Sequence, residues 1–110
     1  MDLTAQKAET LKTFREVAAM EELPARARVA FQFVAEDPRA DWDGFGEAAE
    51  GLGYEVEGFE AQDADDVDCL EITTEEIELS AEALWAHEEK LSLLGAIYGF
   101  YADGWGFVGV

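Results

Sequence analysis

Few residues in this 110-residue chain could do acid–base or covalent chemistry. His87 is the only histidine and Cys69 the only cysteine. A catalytic imidazole needs a partner within hydrogen-bond reach. His87 instead falls on a helical repeat of Leu84, His87, Leu91, Leu94 and Tyr98, and so reads as a core-edge ring with a satisfied nitrogen. Its second role would be a pH-sensitive contact. A lone Cys69 cannot form an internal disulfide and reads as a small residue within a strand. Asp63, Asp65, Asp66 and Asp68 invite a calcium reading, but the pattern fails. The sixth position is Asp68 rather than glycine, and Thr74 stands where a bidentate glutamate belongs. A solvated hairpin loop is the better account. The pairs Glu75-Glu76 and Glu88-Glu89 are what chance supplies in so acidic a chain, and the sequence frames neither with an apolar pocket. Phosphate loops, nucleophile elbows and Cys/His metal spacings do not occur. The expectation is a protein that is not an enzyme, with no cofactor and no metal.

The formal net charge is −19, from 26 acids against seven lysines and arginines. It is unevenly spread. Residues 1–28 hold five acids and five bases, so residues 29–110 carry the whole excess, with only Arg39 and Lys90 as bases. Such a surface repels the phosphates of nucleic acids and of anionic membranes. It attracts basic protein segments. A protein partner is therefore expected, with direct nucleic-acid and membrane binding disfavoured. The competing account is that acidity serves solubility or life in high salt, in a structural or interaction domain of a salt-adapted organism. A signal peptide and a membrane span are both absent from the pattern, which makes the cytoplasm the expected location.

The elements that must carry these residues follow from periodicity. Residues 2–22 read as a helix with Leu3, Ala8, Leu11, Phe14 and Ala18 as its apolar stripe, ended by Pro24. That stripe must lie on the same domain or on a second copy of the chain, so a homo-oligomer is admissible. Arg28–Ala35 is a strand with two apolar faces and belongs in the middle of a sheet. Asp37-Pro38 reads as the start of a helix through Trp42, Phe45, Ala49 and Leu52, closed by Gly53. Tyr54–Glu60 is a second strand. A third carries Leu70, Ile72 and Thr74, and a change of phase near Glu75–Glu76 signals a bulge or a strand end. Ser80 caps a long helix that Gly99 stops.

The last stretch, Tyr101–Val110, sets Trp105 and Phe107 among three glycines and reads as a strand pairing residues 104–110 with 29–34. The expected fold is α+β: an N-terminal amphipathic helix over 1–24, then a ferredoxin-like β-α-β-β-α-β domain over 25–110. Its sheet would have four antiparallel strands, with both later helices on one face. The other face would be solvated, covered by the first helix, or used for binding.

Asp103, Gly104, Trp105 and Gly106 are the candidate interaction or structural motif. Trp105 is expected to anchor packing, with recognition as its alternative role. Asp103 and Gly104 are expected to shape a turn that delivers the ring. The run Asp103-Gly-Trp105 follows the aromatic-rich strand Val29–Val34 and the sequence Leu52-Gly-Tyr-Glu-Val56. Three such motifs in this order resemble the regulator of ribonuclease activity B family, over roughly residues 28–110. Ala102 stands where the family usually has tyrosine, with Tyr101 one place early, and no long acidic tail follows as it does in the best-known members. The resemblance implies a ferredoxin-like fold and a protein that binds and inhibits ribonuclease E, and so modulates RNA turnover.

Overall fold

A strand apolar on both faces can be satisfied only between two neighbours, and strand β1 (Arg26–Ala35) is placed that way. The computed structural model describes residues 2–108. On one edge β1 pairs antiparallel with β5 (Phe100–Val108), and along the other with β3 (Cys69–Thr73) and the short β4 (Ile77–Glu78). Strand β2 (Glu55–Phe59) pairs with β3. Among the described residues all pairs are antiparallel, and the fold is α+β with a five-stranded sheet and three helices.

Five strands are present rather than the four expected, and the reason is local. Thr74 hydrogen-bonds Val29 in both directions, its amide donating to the Val29 carbonyl at 2.9 Å and its hydroxyl accepting from the Val29 amide at 3.0 Å. Ile77 then pairs with Ala27, so Glu75 and Glu76 together oppose Arg28 alone. This is the bulge that the phase change near Glu75–Glu76 announces. It separates β4 from β3 along one edge of β1. Arg28 holds it closed by donating to the Thr74 carbonyl at 3.1 Å.

Helix α1 (Leu3–Met20) begins at Asp2, whose carboxylate accepts from the Ala5 amide at 3.1 Å. Its inward face keeps Phe14 and, in part, Leu3 and Leu11 of the expected stripe, and departs from it at three positions. Ala8 and Ala18 are exposed, and Thr10 and Phe14 are the buried positions. Helix α2 (Trp42–Gly51) is capped by Asp41 rather than by Asp37. Asp41 accepts from the Gly44 amide at 2.9 Å, while Asp37 closes a local turn by accepting from the Arg39 amide at 2.7 Å. Gly44 is needed here, because a Cβ would come within 2.8 Å of the Tyr98 ring. Helix α3 (Ala81–Tyr98) starts at Ser80 and stops at Gly99, which takes the left-handed conformation at φ 88°.

All three helices lie on one face of the sheet. Phe33 meets Phe45 edge-on at 5.2 Å between ring centres, and Phe100 approaches Phe45 at 5.0 Å and Trp42 at 4.8 Å. Val29, Phe31, Phe45, Ile72, Leu84 and Leu91 complete this core. The first helix therefore does not cover the opposite sheet face. It sits beside α3 and over β5, where Phe14 reaches Trp105 and Phe107.

Candidate functional site

Strand β5 divides the four motif residues between two faces. Phe31 pairs with Trp105, so the indole shares the helix-covered face with the buried Phe31 ring. Gly104 and Gly106 oppose Gln32 and Ala30 on the other face. Nothing lies within 4 Å of a Cβ built at Gly106, so no group approaches the backbone there as the glycines suggested. Asp103 does not form a turn. Gln32 pairs with Gly104 and Phe33 with Ala102, so Asp103 is the extra, exposed residue of a second bulge within a continuous strand. Pairing of residues 104–108 with β1 stands as expected, and residues 109–110 lie outside the described ones.

Trp105 is half-buried, 6.4 Å from the Phe14 ring and 5.5 Å from Phe107. It packs, and it also forms one wall of a groove. The groove has a volume of about 500 Å³ and runs between α1 and the outer edge of β5. Trp105 and Phe107 line one side, Gln6, Glu9 and Thr10 the other, and Glu88 of α3 the floor.

Glu88 is 4% exposed. Its two oxygens each accept one hydrogen bond: from the Gln6 amide nitrogen at 2.6 Å and from the Thr10 hydroxyl at 2.7 Å. The same Gln6 nitrogen donates to the Ser92 hydroxyl at 3.0 Å. These bonds fasten α1 to α3 and explain why α1 turns Thr10 inward. Among the described residues no lysine or arginine pairs with Glu88. The ion pairs formed by Lys12, Arg15, Arg26, Arg28 and Arg39 all go to other carboxylates.

The remaining candidates are structural. His87 Nδ1 lies 2.7 Å from the Tyr54 hydroxyl, and Lys90 sits 5.5 Å over the Tyr54 ring. Burial, helped by the Lys90 charge and opposed by Glu75, holds the imidazole below its ordinary value. His87 is thus a core-edge ring with a satisfied nitrogen. Cys69 is half-buried, and burial pushes its thiol up, with Glu71, Asp66, Asp103 and Asp68 adding to the effect. A thiol so placed is a poor nucleophile. In the acidic loop, Asp68 accepts from the Ala61 amide at 2.8 Å and Asp63 from the Asp65 amide at 2.9 Å, which makes these carboxylates the loop's own hydrogen-bond acceptors. Among the described residues no cluster of His, Cys, Asp or Glu is placed to hold a metal ion.

In the sequence Glu88 carries no distinguishing mark, being one of two adjacent glutamates among many. Yet Trp85, Glu88 and Ser92 step by three and four, and all three are buried, with Trp85 at 6% exposed. That spacing marks a second inward row on α3, next to the apolar one.

Three helices on one face of a five-stranded antiparallel sheet define a small α+β protein, in which a groove with aromatic and carboxylate walls lies beside Gly104, Trp105 and Gly106. The family whose sequence profile is described as Regulator of ribonuclease activity B matches residues 7–107, nearly the whole chain, and the chain belongs to that family. The match takes in α1, which the motif resemblance beginning near residue 28 did not reach. No curated protein matches the chain. Among the described residues no helix is long and apolar enough to cross a membrane.

Proposed function

We propose that this protein is a non-catalytic regulator that docks on ribonuclease E, through a basic segment of the enzyme, and slows its cleavage of RNA. Family membership over residues 7–107 carries the reading, because the family is one of ribonuclease regulators. The charge of −19 supports a basic docking segment in particular, since attraction of opposite charge raises the encounter rate and selects the partner. The fold is read as ferredoxin-like. What supports that is the pairing of β5 with β1, of β1 with β3 and of β3 with β2, once β4 is counted as the continuation of β3 past the bulge.

The test uses purified ribonuclease E and the full chain. Binding and slowed RNA cleavage are expected at low salt, both weakening as salt rises. Cleavage that is unchanged by a large excess of the chain at low salt would overturn the reading.

A further inference from the structure

We propose that the groove between α1 and β5 is a receptor site for one guanidinium side chain, held by Glu88 and stacked on Trp105. The ribonuclease reading enters only as the source of that group, an arginine of the partner's basic segment. Glu88 is almost wholly buried, yet its hydrogen-bond donors are the neutral Gln6 and Thr10. Uncharged donors compensate a buried carboxylate only in part, and the excess negative charge of the whole chain adds to the strain. A cation is the occupant that relieves it.

The groove has the shape and valence for one. A carboxylate offers about four lone-pair sites. Here one on each oxygen is taken, which leaves one on each unfilled in a residue that lines the groove. Trp105 and Phe107 form the wall beside it, and an aromatic face attracts a cation, an indole most strongly. Glu9, exposed at the rim on α1, adds a second carboxylate along the entry path. A flat guanidinium uses both kinds of wall at once, stacking on the ring while donating in its plane. An ammonium does so less well. The volume of about 500 Å³ accommodates a single long side chain.

The experiment titrates the ¹⁵N-labelled full chain with a neutral-flanked peptide, acetyl-Gly-Gly-Arg-Gly-Gly-amide, and with its citrulline counterpart. A single positive charge keeps diffuse attraction to the acidic surface small. Resonances of the Trp105 indole N–H and the Gln6 side-chain amide should move together with the arginine peptide. Binding should be about tenfold weaker with citrulline, and about tenfold weaker in Glu88→Gln, which keeps the shape of the side chain. Should Glu88→Gln loosen α1, the rim variant Glu9→Gln leaves the Glu88 hydrogen bonds intact and should still weaken binding by about two- to threefold. Equal binding of the two peptides, or no shift at Trp105 and Gln6, would overturn the site. Capture of ribonuclease E separates the two readings. Peptide binding without capture by the parent chain would leave the site standing and remove the ribonuclease. Equal capture by parent and Glu88→Gln would remove the partner's arginine from this groove.

Discussion

The two sides of α3 are held by different means. Toward α2 and the sheet, the contacts are rings and aliphatic chains: Phe45 between Phe33 and Phe100, with Leu84 and Leu91 beside them. Toward α1, they are hydrogen bonds from Gln6 and Thr10 to Glu88 and an exposed Arg15–Glu82 ion pair, while Phe14 packs on Trp105 and Phe107 of β5. The first side is closed by volume, and every atom lost there leaves a hole. The second is closed by directed bonds at a few points, which hold the helices together without filling the space between α1 and β5. A groove survives there for that reason. Packing secures the fold on one side of a single helix, and sparse polar fastening leaves a recess on the other.

The sharpest break in this comparison is Phe45→Ala. The ring is fully buried, so its loss should destabilise the protein by about 3–5 kcal/mol, read as a fall in the urea midpoint. On the other side of α3, Glu88→Ala leaves the Thr10 hydroxyl without its acceptor and Gln6 with Ser92 alone, and should cost about 1–3 kcal/mol. The triple change Gln6→Leu, Thr10→Val, Glu88→Leu should recover most of that loss, because a network removed whole costs less than one cut in half. If Phe45→Ala proves milder than Glu88→Ala, the distinction between the two sides fails.

Trp105→Ala should fall lower, at about 2 kcal/mol, since the indole is only half-buried and its removal widens a groove that is already open. A cost equal to that of Phe45→Ala would mean the groove closes in solution. The smallest effect is one of pH. The His87 imidazole is held below its ordinary value of about 6.5 by burial first and by Lys90 second. The folded protein then binds fewer protons than the unfolded chain in that range. Stability contributed by neutral His87 is therefore full above about pH 6.5 and declines as pH falls toward the folded value. Urea midpoints between pH 7.5 and 5.5 should slope downward in the parent and less so in His87→Gln. An unchanged slope would place the titration elsewhere.

Much of this was legible in the residues, where local pattern and final environment agree. The double-faced apolar strand around Phe31 had to lie between neighbours, and Trp105 does pair with it. The parity change at Glu75–Glu76 is a bulge because period-2 alternation leaves no other way to put one extra residue in a ladder. Legibility fails where polar residues do the packing. Of the apolar stripe of α1, Phe14 and Leu11 do pack inward, but Ala8 and Ala18 do not, and Thr10 and Gln6 turn inward toward Glu88, a partner 78 residues or more away. Composition cannot announce such a bond from one end. The cap of α2 failed for another reason. Asp37 and Asp41 are equally good caps by type, and what favours Asp41 lies far along the chain, where its amide donates to the Tyr98 carbonyl at 2.8 Å. The motif Asp103–Gly106 pointed to the right strand but not to its orientation, since the bulge at Asp103 resets which side chains face α1.

The place of β1 between two later strands also governs how the molecule comes into being. Its partners β3 and β5 both follow it in the chain. At about 5–20 residues per second of synthesis, the strand waits for seconds before its second neighbour exists. During that time Val29, Phe31 and Phe33 stand on a segment with at least one bare edge, the condition under which strands associate with the wrong chain. Sheet closure then joins ends of the sequence that are far apart, a slow class of folding step. The acidity of residues 29–110 acts at this stage as well, because like-charged nascent chains repel one another before any native contact has formed.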